Sequence, residues 1–177
     1  MVFAHDAEAA LVSAVELANS AGDPDTLTEP VQLAEFFARH GYTGRHTGDR
    51  RELDEVRALR ASLRALLLSD RDAAVVLVNE MLARAGAIPR LVRHDDEDWH
   101  VHATDPDASL ATRIGVETAM AMIDVIRADE HSRLGVCADD SCEGIVLDLS
   151  RNRSKRYCSV ACGNRNAVAA YRTRRRD

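Results

Sequence analysis

Four cysteines, all that the 177 residues contain, fall between positions 137 and 162 as two close pairs. Cys137 and Cys142 have four residues between them, Cys158 and Cys162 have three, and fifteen residues separate the pairs. Thiolates in this pattern suit a zinc ion, which prefers four soft ligands in a tetrahedron and can take two from each of two short loops. One Zn2+ per chain is expected, and its role is structural, because four thiolates leave no open position of the kind a catalytic zinc keeps for water. The competing readings are two disulfides or four unrelated buried thiols. Residues 1–20 carry acids and lack the basic start and apolar core of an export signal, so an oxidising compartment is not indicated. Unrelated thiols would have no reason to gather in pairs.

The charge changes sign at the same place. The chain has a net charge of -6, yet residues 151–177 hold nine Lys and Arg against one Asp, a net of +8. Residues 1–150 hold 14 basic and 28 acidic groups, a net of -14. An acidic body with a basic tail is the asymmetry expected of nucleic-acid contact. Arg151, Arg153, Lys155 and Arg156 precede Cys158, while Arg165, Arg172, Arg174, Arg175 and Arg176 follow it. All nine are candidate phosphate contacts, whose affinity would fall with salt as counterions are released. Asn164, Arg165 and Asn166 are the candidates for reading bases, with Asn164 equally suited to tying down the finger. Tyr171, with Val160 and Val168 on its side of a helix, reads as a packing contact.

These residues need a frame. Residues 144–156 are expected to form a hairpin, with Ile145, Val146 and Leu147 as its first strand, a polar turn at 150–154 and a second strand entering Cys158. From Ser159 onward the chain is Ala-rich and free of proline, which predicts a helix carrying Cys158 at its start and Cys162 one turn later. Such a segment of about forty residues has little core of its own, and metal binding can supply the folding free energy it lacks.

Ahead of it, apolar residues recur at helical spacing between recognisable stops. Five helices are predicted, over 5–19, 29–40, 50–69, 72–85 and 107–130. Pro30 fits a first turn, Asp49 and Asp107 are cap candidates, and Gly41 and Gly86 are stops. Leu11, Val12, Val15 and Ala18 share one face of the first helix, and Val75, Val78, Met81 and Leu82 are expected to be buried in the fourth. Strands at 89–93 and 99–104 would flank an acidic turn at 94–98. The fold class is therefore mainly α (α+β): a helical domain with a small β-hairpin over 1–133, then a treble-clef-like zinc finger over 134–177.

Within the body, Arg60 lies on the apolar stripe of the third helix and must find a partner, because an unpaired buried charge is costly. A carboxylate from another helix would serve, or else Arg60 and Asn19 belong to a ligand pocket. His100 and His102 would face the same way beside His94 and Glu97, as expected of an exposed polar hairpin. No glycine-rich phosphate loop, nucleophile elbow or paired-histidine metalloprotease motif is present, so no enzyme is expected. No stretch approaches the ~18 apolar residues of a membrane span, and the expected compartment is the cytoplasm.

The run Cys162-Gly163-Asn164-Arg165 resembles the signature of the CGNR zinc-finger proteins. The similarity extends back over residues 148–159 and forward to Tyr171-Arg172-Thr173-Arg174-Arg175, with Tyr157 where that family usually has Trp. Proteins of that kind carry a helical ABATE domain before the finger, which residues 1–133 resemble more loosely, best at Leu17-Ala18-Asn19-Ser20 and the Asp23-Pro24 turn. The resemblance implies a stress-responsive bacterial transcription regulator that binds DNA through the finger, with the body as sensor or homodimerisation unit. The other readings are an interaction module docking an acidic protein surface and an RNA-binding protein.

Overall fold

The computed structural model describes residues 3–93 and 99–175. Its order is α1 (His5–Asn19), α2 (Pro30–Arg39), α3 (Arg50–Leu68), α4 (Arg71–Ala85), β1 (Arg90–Val92), β2 (His100–His102), α5 (Leu110–Arg127), β3 (Leu134–Val136), β4 (Ile145–Leu147) and α6 (Val160–Arg174), with a single 3-10 turn, His131–Arg133, before β3. The helix starts follow from local chemistry. Asp49 accepts from the Glu52 amide ahead of α3, Asp70 from Ala73 ahead of α4, and Gly86 ends α4 at φ +58°, a left-handed conformation that costs glycine little. The fifth helix differs at both ends from the expectation: Ser109, not Asp107, caps it, and it stops at Arg127. Asp107 instead sits in the preceding turn, its amide bonded to the Asp105 carboxylate.

α1 and α5 pack together, with α3 and α4 against them. The core they enclose is built largely from Leu11, Leu17, Leu53, Leu63, Ile114 and Met122, all with no exposed surface. Each such side chain contributes about 1.5–3 kcal/mol on burial. Val12 and Val75, expected inside, are exposed, because the stripes that meet the core pass through Leu11 and Ala14 on α1 and through Ala74 and Val78 on α4. β1 and β2 form the anticipated antiparallel hairpin with Leu91 opposite Val101, and the predicted turn at 94–98 lies outside the described residues.

The hairpin expected over 144–156 is replaced by another pairing. β4 turns back onto β3, with Leu134 opposite Leu147 and Val136 opposite Ile145, and residues 148–158 continue without a strand. The six residues 151–156 (RNRSKR) offer no apolar partner to a strand whose three side chains are all buried. Ile145 and Leu147 enter the core of the body, while Val146, on the opposite face, packs with Cys137 and Cys162. β4 is thus a shared wall: one face belongs to the helical body and the other to the cysteine-bearing segment. Asn19, at the end of α1, seals the join by donating to the Ile145 carbonyl (2.9 Å) and accepting from the Ile145 amide (2.6 Å).

Candidate metal centre and basic surface

The β3–β4 turn holds Cys137 and Cys142, and the approach to α6 and its first turn hold Cys158 and Cys162. The four sulfurs lie within 4.8 Å of one another, and none is bridged. Cys142 and Cys158 are 3.5 Å apart at sulfur, and Cys158 and Cys162 are 3.8 Å apart. A zinc–sulfur bond of about 2.3 Å spaces the corners of a tetrahedron roughly 3.8 Å apart, so one ion fits. Gly144 shows how tight the cradle is: a Cβ there would lie 2.7 Å from Cys158 Sγ and 3.3 Å from Cys142 Sγ. Only glycine lets the backbone come this close.

Polar hydrogens converge on the sulfurs. The Gly144 amide donates to Cys142 (3.3 Å), the Cys158 amide to Cys137 (3.4 Å), and the Arg165 guanidinium to Cys162 (3.3 Å). Ser159 caps α6 by accepting from the Cys162 amide, and its hydroxyl beside the sulfur holds the Cys162 thiol down at about 7. Burial has the opposite effect at Cys158, whose thiol is pushed up to about 12. A zinc ion held by the four sulfurs would favour their thiolate form, and the two net negative charges left around the dication are what these donors would offset.

Arg165, a candidate phosphate and base contact, is therefore committed inside the finger. Its Nε also donates to Asp139 (2.7 Å), a buried carboxylate that Ser141 holds through both its amide (3.0 Å) and its hydroxyl (2.7 Å). The Ser141 and Arg165 bonds keep the Asp139 carboxyl near 2. Asp139, Ser141 and Gly144 escaped the sequence reading; their only signal was small or polar residues within two places of a cysteine. Arg153 is likewise engaged, bonded to Glu130 (2.9 Å) and Ser132 (3.0 Å).

The remaining predicted contacts separate by surroundings. Arg151, Lys155, Arg156, Arg172 and Arg174 are exposed and form no ion pair among the described residues; Arg175 is exposed over the Tyr171 ring at 5.8 Å, and Arg176 lies outside the described residues. The loop carrying the first three is fixed from beneath. Buried Asp148 accepts from the amides of Ser150 (2.8 Å) and Lys155 (2.7 Å), and buried Arg133 donates to the carbonyls of Asp148 (2.9 Å) and Ser150 (3.0 Å). Asn164 is exposed, and Asn166 donates back to the Cys162 carbonyl (3.0 Å). Tyr171, Val160 and Val168 do not pack as expected: Cys162 is the one buried residue of α6, so this face of the helix meets solvent.

Asn19 and Arg60 do not meet at a pocket. Arg60 donates to Asp25 (2.8 Å) and to the Leu27 carbonyl (2.9 Å), its carboxylate coming from the loop after α1 and not from a helix. That guanidinium holds Asp25 down at about 2. Asn19 borders a groove between α1 and residues 147–150, but its amide is taken by Ile145. His100 and His102, expected at an exposed surface, are half-buried with their Nε2 atoms 3.0 Å apart, and His131 is not among the clustered metal-ligand candidates.

Fold and site together define a helical body fused to a small zinc finger of four cysteines. Two family models cover nearly all of it: the ABATE family, described as a "putative stress-induced transcription regulator", matches residues 11–129, and the CGNR zinc finger matches 133–175. The chain belongs to the ABATE family and carries the CGNR finger behind that domain, with one structural zinc held by Cys137, Cys142, Cys158 and Cys162. Both families are of regulatory or zinc-finger type. No match among curated proteins was found. Among the described residues, no helix is long and apolar enough to cross a membrane.

Proposed function

We propose that the protein is a transcription regulator that grips duplex DNA with its finger and receives a signal in its helical body. One observation carries this reading: five exposed cations, Arg151, Lys155, Arg156, Arg172 and Arg174, have no ion-pair partner among the described residues, and the first three stand on a loop that Asp148 ties down beside the metal cluster. A positive surface free of internal partners is available to phosphates, and a rigid one loses little order when it binds them. Arg165 and Arg153 support that surface from within. Asn164, exposed in the first turns of α6, is the candidate for base contact if the helix enters the major groove.

The test is a gel-shift titration of the zinc-loaded protein against duplex DNA, single-stranded RNA and a polyanion across a salt series. Duplex preference is expected, with a steep logarithmic salt slope. Replacing Arg151, Lys155 and Arg156 by Ala should reduce that slope by about 2.7, at roughly 0.9 per phosphate contact. Equal binding to every polyanion would favour a charge-driven interaction module, and a slope unchanged by the triple variant would remove this loop from the interface.

A further inference from the structure

The helical body contains a cavity of about 430 Å³ between the first half of α1, the 41–43 turn, β2 and α5. It has the size of a small-molecule site. Ala7 and Ala10 on α1 and Ala121 on α5 form part of its lining, so small side chains border a space that larger ones would fill. Met120 and Ile123 extend the apolar wall, and the His100 and His102 rings close one side.

Oxygen acceptors and imidazoles both reach this space. Ser13 Oγ, fully buried, gives its one proton to the Ala10 carbonyl (3.0 Å), so the 2.7 Å bond between Ser13 and Tyr42 uses the tyrosine proton. The Tyr42 oxygen is left with lone pairs and no donor. Glu117, half-buried on α5, accepts no hydrogen bond among the described residues. Asp124, two turns along α5, and Asp6 on α1 add two further carboxylates. The groups nearby that can carry positive charge are committed or peripheral: Arg113 donates to the carbonyls of Thr43, Arg45 and Ala108, His40 bonds to Glu16, His100 and His102 bond to each other, and His5 and Arg127 are exposed.

Burial pushes the Glu117 carboxyl up to about 7, opposed by Arg113 and His100. A carboxyl held back from ionisation by desolvation gains from a positive charge brought next to it.

We propose that this cavity binds a small organic cation, a protonated amine on an apolar body, with Glu117 as its counter-ion, the Tyr42 oxygen as a second acceptor and the alanine wall against its apolar part. An anion of the same shape would meet three carboxylates. A neutral molecule would leave Glu117 without a partner. α1 links the cavity to the finger, since its first half forms the wall and Asn19 at its end holds Ile145. The site gives the sensing role proposed for the body a ligand class, and it rests on that reading only for its consequence at the DNA.

Three probes of matched shape and different charge test it on the full-length, zinc-loaded protein at pH 8: phenethylamine, 2-phenylethanol and 3-phenylpropionate, titrated by calorimetry. The amine should bind at least tenfold more tightly than either of the others. Glu117→Gln should cut amine affinity at least tenfold and leave the alcohol unaffected, with zinc content and helical circular dichroism unchanged. Tyr42→Phe should weaken the amine several-fold. Equal binding of the three probes, no binding of the amine, or an amine affinity indifferent to Glu117→Gln would overturn the assignment. Gel shifts without ligand report on the DNA-binding reading separately, so either idea can fail while the other stands.

Discussion

Replacing Gly144 by Ala should damage the metal centre while leaving all four ligands in the sequence. The new Cβ would stand 2.7 Å from Cys158 Sγ and 3.3 Å from Cys142 Sγ, where ordinary contact is 3.4–4 Å. Cys158 sulfur would have to retreat by about 0.7 Å, a large fraction of a zinc–sulfur bond of about 2.3 Å. Backbone movement is the alternative, but the neighbouring Ile145 is held by two hydrogen bonds to Asn19 and by burial. Overpacking of this kind costs about 1–3 kcal/mol. At roughly 1.4 kcal/mol per factor of ten, zinc affinity should fall about 5- to 150-fold. A chromophoric chelator competing for the metal measures this directly, with circular dichroism confirming that the helical body persists. If Gly144→Ala binds zinc within threefold of the parent while Cys158→Ser binds none, the tight-cradle argument is wrong.

Other outcomes follow from the same contacts. Arg165→Gln should weaken zinc binding by about tenfold or more, as loss of support behind a ligand does, yet change the salt slope of DNA binding by less than one phosphate contact; chelator competition and gel shifts read the two effects apart. Asn19→Ala leaves the amide and carbonyl of Ile145 short of a partner, which should cost about 2 kcal/mol and lower the Tm of the zinc-saturated protein by roughly 4–8 °C. The Glu117 carboxyl is raised in the fold, to about 7 from 4.5, so its contribution to stability is complete below pH 4.5 and is lost as pH climbs through 7. Glu117→Gln should therefore match the parent near pH 4 and exceed it by about 3 kcal/mol at pH 8, as urea unfolding at the two pH values would show. An advantage for the variant at the acid end would refute that account.

How much of this was legible depends on the range of the interaction that decided it. Helix starts and stops are settled within a few residues, so α1, α2, α3 and α4 stand close to their expected limits, and Gly86 and Asp49 act as read. The cysteine spacing pointed to one metal centre because ligand pairs on short loops must converge, and the four sulfurs do so. Strand partners are another matter. Three consecutive apolar residues at 145–147 announce a strand but not its neighbour, and β4 paired upstream because the body covers one of its faces and the cysteines the other.

Side-chain partners were the least visible. Arg165 was one of nine candidate phosphate contacts, yet its guanidinium turns to Asp139 and Cys162, twenty-six and three residues away. Arg60 announced its need for an anion without saying which, and Asp25 answered from a loop. Asn19 looked like a pocket residue and is the clasp between body and finger. The helices, the four ligands and the segregation of charge could be read along the chain, because each depends on spacing between near neighbours. Tertiary structure alone decided which cations are committed and which are available, and how the finger is fixed to the body, because those choices are made between groups far apart in sequence that folding brings within about 3 Å.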